Sequence, residues 1–151
     1  MLTLRRAVAA DAAAVRALTR DAYAKWVPVI GREPKPMTAD YVRAVRLNRI
    51  DLAYFGEQLC GLVETIDRSD HLLIENVAVA PERHGQGIGR ALMAHAESVA
   101  RAAGYREVRL YTNQRFETNV QLYLRLGYGI DREETGALGV TVHMSKLLPT
   151  G

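Results

Sequence analysis

The stretch VAVAPERHGQGIGRAL, residues 77–92, decides the fold. Val77, Ala78 and Val79 end an apolar run that begins at Leu72 and is interrupted only by Glu75 and Asn76; Pro81 breaks it, and Gly85, Gly87 and Gly89 follow. Ile88, Ala91, Leu92, His95, Val99 and Ala103 then recur at three- and four-residue steps. This pattern predicts a central strand over 72–79, a glycine turn, and a helix from about 87 to 103 that ends near Gly104. A strand that passes through glycines into a helix N-terminus suits an anion, because the backbone can approach closely and unpaired N–H groups point at the charge with the positive end of the helix dipole. Such a charge gains about 0.3–1 kcal/mol when exposed and up to ~2 kcal/mol when partly buried. Two familiar phosphate loops do not fit. Gly89 is followed by Arg90 and Ala91 where a Walker loop needs Lys-Ser/Thr, and a dinucleotide fingerprint counted from Gly85 and Gly87 would put its third glycine at Arg90. From spacing alone, a turn that only packs a helix on a strand is the competing reading.

Working outward, Leu2, Leu4 and Ala7 alternate with polar residues as a first strand, and Asp11 reads as the N-cap of a helix over 11–26 that carries Val15, Leu18, Ala22 and Trp26 on one face and stops at Pro28. The segment from Pro28 to Pro36 is a loop and a candidate site wall; Thr38 then caps a second helix with Tyr41, Val42, Val45 and Leu47 as its apolar positions. Leu52 to Phe55 and Leu59 to Ile66 form a hairpin around Gly56, Glu57 and Gln58. On the other side, Val108, Leu110 and Thr112 mark a strand, Asn119 to Leu126 a short helix closed by Gly127, and Tyr128 to Glu133 and Val140 to Leu147 two last strands. The order implies an α/β chain, one domain over residues 1–151, with a mixed sheet and helices on both faces.

The 151 residues include 20 Lys plus Arg and 17 Asp plus Glu, with 48% hydrophobic and 25% charged residues, a balance that sustains a core and excludes disordered, collagen-like and coiled-coil readings. The pI near 9.2 suits an anionic ligand, but the basic residues are scattered and form no nucleic-acid arm. Neither a secretory leader nor a membrane span is evident, and the single cysteine, Cys60, suits a reducing, cytoplasmic setting. His71, His84, His95 and His143 show no paired ligand spacing, so no metal is expected. Cys60 reads as a small core hydrophobe, and no GxSxG elbow points to covalent catalysis.

Two segments carry a family resemblance. His84 to Gly89 resembles the acyl-CoA pyrophosphate loop of the GNAT superfamily of N-acetyltransferases, whose pattern is Gln or Arg, two residues, Gly, one residue, Gly or Ala. Gly87 and Gly89 match the glycines; His84 stands at the Gln/Arg position, flanked by Arg83 and Gln86. NVQLYLRLGY, Asn119 to Tyr128, is similar to that family's last helix, and the order of elements agrees along nearly the whole chain. The resemblance implies a mostly antiparallel, splayed sheet of about seven strands with about four helices. It places acetyl-CoA, as co-substrate, between the fourth and fifth strands, with the pantetheine arm paired to the backbone of Val77, Ala78 and Val79 and the diphosphate at His84, Gly85, Gln86, Gly87, Ile88, Gly89 and Arg90.

By the same resemblance Tyr123 is the acid that protonates the departing CoA thiolate, a role a phenol can fill because it is neutral near pH 7 with one O–H to donate. Asn119 lies one turn earlier on the same face. The plain alternative for Tyr123 is a half-buried aromatic with its hydroxyl in water. Glu75 interrupts an apolar strand and is expected to share a face with Leu73 and Val77, so it is a candidate proton acceptor from the attacking amine; pairing with an arginine, or a water as relay, are its alternatives. Arg83 and Arg90 can meet phosphates or simply solvate a helix turn, and Asn113 reads as a turn residue that could also bond a ligand. Tyr23, Trp26 and Tyr41 border the segment that the family places over the acceptor. The expected activity is acetyl transfer by direct attack of a primary amine of a small molecule or peptide, in a homodimer; the alternative is a non-catalytic acyl-CoA-binding regulatory module of the same fold.

Overall fold

The computed structural model describes residues 1–149. Its elements are β1 (Leu2–Arg6), α1 (Ala12–Tyr23), the one-turn helices α2 (Val27–Ile30) and α3 (Lys35–Thr38), α4 (Tyr41–Leu47), β2 (Arg49–Phe55), β3 (Gln58–Asp67), β4 (Leu72–Val79), α5 (Ile88–Ala102), β5 (Glu107–Asn113), α6 (Glu117–Arg125), β6 (Gly129–Gly136) and β7 (Gly139–Leu147). The strands form one sheet in the order β1-β2-β3-β4-β5-β7-β6. Every neighbouring pair is antiparallel except β4 and β5, which run parallel and pair only where Leu72–Ile74 meets Val108–Leu110. Beyond Ile74 the two strands part, and the sheet is splayed as expected.

Two apolar clusters fill the faces. Ile88, Leu92, Met93, Ala96 and Ala100 of α5 pack with Ala53, Val63, Leu72, Ile74, Val108 and Tyr123 on one side. Val15 and Leu18 of α1 and Tyr41 of α4 pack with Ile50, Leu52, Leu62 and Ala78 on the other. The buried stripe of α5 therefore includes Met93, Ala96 and Ala100, whereas Ala103 is exposed and Ala91, His95 and Val99 are half-buried flanks. Gly61 explains how closely α5 lies on β3. A Cβ there would come within 3.0 Å of Ile88 and 3.1 Å of Leu92.

A β-bulge in β4 builds the site. Glu64 pairs with Asn76 and Thr65 with Ile74, which leaves Glu75 as the extra residue. One inserted residue reverses the inward and outward alternation of everything after it. Leu72 and Ile74 accordingly join the α5 cluster, and past the bulge it is Val77 and Val79 that pack against that cluster while Ala78 turns to α1. Glu75 thus lies with Leu73, but the expected shared face with Val77 is lost.

Other expectations shift locally. Asp11 does not cap α1. It closes a 3₁₀ turn, accepts the Val8 N–H at 2.7 Å, and binds the Arg5 guanidinium through both oxygens at 2.9 Å. Pro28 does not end the helical path; it sits in the first turn of α2, where its missing N–H costs nothing, and left-handed Gly31 makes the stop. Thr38 ends α3, and the cap of α4 is Asp40, whose carboxylate accepts the Arg43 N–H at 3.1 Å. Val42 and Leu47 of α4 are exposed. Gln58 joins β3 opposite Phe55, which leaves a two-residue turn with Gly56 at φ 58°.

Candidate active site

Where β4 leaves β5, its edge is free. Ala80 donates its N–H to Cys60 O on β3 at 2.9 Å; by the two-residue period Ala78 and Asn76 also turn their main-chain groups to β3, whereas Val77 and Val79 turn theirs into the gap. Two clefts adjoin this gap.

The first cleft, about 320 Å³, is lined by Val77, Val79, Arg83, His84, Gly85, Gly87, Ile88, Gly89 and Arg90 on one wall and by Asn119, Leu122 and Tyr123 of α6 on the other. Gly87 is the N-cap of α5, with φ 77° and ψ 11°, and no side chain caps the helix. The first N–H groups of α5 therefore have no partner within the helix. Gly85 is also left-handed, at φ 78°, and a Cβ on either glycine would project into open space. Only glycine takes this loop shape without strain. Burial and the nearby Lys25 ammonium hold His84 below the usual imidazole range, against an upward pull from the Val79 main chain. The loop, the uncapped helix start and the free strand edge together fit a diphosphate followed by an extended amide arm.

Tyr123 is 8% exposed and its phenol is pushed up to about 12 by burial, so it holds its proton. Among the described residues its hydroxyl has no hydrogen-bond partner. Its ring meets Tyr128 edge-on at 6.3 Å, and Tyr128 is anchored through its hydroxyl to Glu97 at 3.0 Å. Left-handed Gly127 allows the turn that returns the Tyr128 N–H to Tyr123 O at 3.0 Å.

The second cleft, about 1260 Å³, lies on the α1–α4 face between the loop around α2 and α3 and the β6–β7 turn. Glu64, Glu75 and Asn76 form its floor, and Tyr41, Tyr111 and Phe116 stand among its walls. Glu75 accepts a hydrogen bond from the Tyr111 hydroxyl. Glu64, 4% exposed, accepts from Asn48 at 2.8 Å, and burial with the nearby Glu75 holds its pKa above the usual carboxylate range despite that bond. Arg32 donates to Leu138 O at 3.1 Å, which bridges the mouth. Tyr23 lines both clefts.

The structure thus brings Val77, Val79, His84, Gly85, Gly87, Ile88, Gly89, Arg90, Asn119 and Tyr123 to one cleft and Glu75 to its neighbour. It does not bring in Ala78, which is buried against α1, or Gln86, which is exposed and accepts from Arg83 at 3.5 Å. Asn113 is a turn residue, its carboxamide accepting the Arg115 N–H at 2.9 Å, and it also borders the second cleft. Sequence reasoning missed Glu64 and Tyr111. Glu64 interrupts the run LVETI as Glu75 interrupts LLIENV, and Tyr111 faces opposite Leu110 in an alternating strand. Among the described residues no three His, Cys, Asp or Glu side chains gather to hold a metal, and no helix is long and apolar enough to cross a membrane.

This splayed sheet with a glycine loop at the start of α5 is the architecture of an acetyltransferase. Residues 14–128 match the profile of the Acetyltransferase (GNAT) family, and the chain belongs to that family. It is 30% identical over 117 residues to N-alpha-acetyltransferase 80 of Mus musculus, a match that covers 77% of this chain and 31% of that relative, so the chain spans less than a third of its length. Among solved structures it resembles the PaiA N-acetyltransferase of Thermoplasma acidophilum in complex with coenzyme A, with a TM-score of 0.81 at 17% identity over 97% of this chain and 99% of the other. It also resembles the ribosomal-protein-S18-alanine N-acetyltransferase of Escherichia coli, with a TM-score of 0.76 at 17% identity over 100% and 96% of the two chains.

Proposed function

We propose that residues 1–151 form one N-acetyltransferase domain that carries acetyl from acetyl-CoA to a primary amine of a small molecule or peptide by direct attack. The observation that carries this reading is the pair of clefts on either side of the free β4 edge, one built for a diphosphate and its arm, the other floored by carboxylates. The Gly85–Gly89 loop and the N–H groups of α5 hold the diphosphate, with Arg83 and Arg90 at its margin. Val77 and Val79 offer main-chain donors and acceptors to the arm, as an added strand would use them. The acceptor nitrogen attacks the thioester carbon, the C–S bond breaks, Tyr123 gives its proton to the departing sulfur, and Glu75 or a water takes the proton lost by nitrogen. The main contribution is placement of two reactants in one gap.

The Val77 N–H, facing the gap, is placed to polarise the thioester carbonyl. The enzyme is read as a cytoplasmic homodimer. Buried, unpaired Cys60 suits a reducing compartment, and exposed Ile130 and Leu147 at the β6–β7 end of the sheet offer an apolar edge. The test is an acceptor panel followed by free-thiol release and product mass. One acetyl gained per thiol supports transfer, whereas saturable CoA binding without turnover of any amine would favour the non-catalytic module.

A further inference from the structure

Tyr23, the last residue of α1, is the one aromatic side chain that borders both clefts among the described residues. Its hydroxyl donates to Val77 O at 3.3 Å, across 54 residues of sequence. That carbonyl belongs to the free β4 edge, where it points into the gap and has no strand partner. Burial, with Tyr123, Tyr41 and Tyr111 nearby, keeps the phenol far above its ordinary range, so it is a permanent donor and never an acceptor anion at working pH. The ring lies tilted at 6.3 Å from Phe116, which itself stacks on Trp26 at 4.7 Å, so the residue is held from behind by an aromatic wall that closes the end of α1 against the start of α6.

An extended amide arm added along β4 needs Val77 O as the acceptor for one of its own N–H groups, since Val77 and Val79 are the residues whose main-chain groups face the gap. Tyr23 and the arm therefore compete for one oxygen. Building on the proposed CoA site, we propose that Tyr23 is a positioning residue that latches the β4 edge when CoA is absent. Entry of the arm displaces the hydroxyl from Val77 O, and the same ring then resets the wall of the acceptor cleft. The latch keeps the buried carbonyl satisfied in the free chain, where it would otherwise be costly, and makes readiness of the acceptor cleft depend on the thioester being in place.

The test compares Tyr23→Phe with the wild-type chain by titration calorimetry. Phe preserves the ring and its contact with Phe116 and removes only the competing hydroxyl. CoA and acetyl-pantetheine should each bind about threefold to tenfold more tightly to the variant, the range set by one neutral hydrogen bond. Adenosine 3′-phosphate 5′-diphosphate, which carries the diphosphate without the arm, should bind both proteins equally. A merely structural role for Tyr23 predicts weaker binding of all three, and that result overturns the latch. Unchanged affinity for acetyl-pantetheine overturns it as well, while leaving the CoA site intact. Failure of the wild-type chain to bind CoA at all overturns the latch together with the proposed function.

Discussion

Replacing Gly87 separates what the loop does for folding from what it does for binding. Gly87 has φ 77° and ψ 11°, and no heavy atom lies within 4 Å of the position its Cβ would take. Gly87→Ala therefore meets no clash, and its whole folding cost is the left-handed backbone, about 1–2 kcal/mol. In a chain of this size the lower end of that range lowers Tm by about 2–4 °C. The added methyl projects into the first cleft, between the N–H groups of α5 and any anion they hold. Losing one hydrogen bond to a charged group costs about 1.5–3 kcal/mol, or roughly a tenfold to 150-fold loss in affinity. Gly87→Asn is the control, because Asn tolerates the left-handed region far better and should recover most of the Tm while binding CoA as poorly as Ala. Differential scanning fluorimetry and CoA calorimetry on the three proteins give both numbers. The reasoning fails if both variants bind CoA within twofold of wild type.

Tyr123→Phe should retain CoA affinity within about twofold and lower kcat by about 10²-fold or more; a kcat near wild type on the true acceptor would remove the proton-donor assignment. Asp11 is held down to about 2 by the Arg5 guanidinium and the Val8 N–H, so its contribution is complete above the ordinary carboxylate pKa and disappears as pH falls through about 2. Asp11→Asn should then lower Tm by about 2–4 °C at pH 7, with the difference shrinking steadily below pH 4; a gap independent of pH would refute the ion pair. Glu64 has the opposite sign. Its pKa is raised mainly by burial, so ionising it costs stability as pH rises above the ordinary carboxylate value. Glu64→Gln, which can still accept from Asn48, should raise Tm at pH 8 relative to pH 4, and a falling Tm under the same comparison would mean that the charge is better paired than its surroundings indicate.

The sequence was most legible where period and punctuation agree. Leu72 to Val79 and the helix after Gly87 announce themselves through an apolar run, three glycines and a helical repeat, and most of the first cleft follows from them. The second cleft was harder to read because it depends on the bulge at Glu75. Neither glycine nor proline marks that position, and an ordinary alternation through Leu73, Glu75 and Val77 is the simplest reading of the letters. Asp11 and Thr38 misled for a related reason. Each is a good cap by residue type, yet the Arg5 guanidinium claims the first and Asp40, two residues on, outcompetes the second. Glu64 was hidden because its partner Asn48 is a loop residue 16 positions earlier.

The extra residue at Glu75 also sets how β4 tolerates change in length. Deleting it would resynchronise the pleat and send Val77 and Val79 toward α1 and Ala78 toward α5, so both apolar layers would misfit at once. A single-residue gain or loss anywhere between Leu72 and Val79 would be felt the same way, whereas the exposed β6–β7 turn could change length without altering either layer. Within this strand, chemical substitution is therefore open to variation and residue count is not.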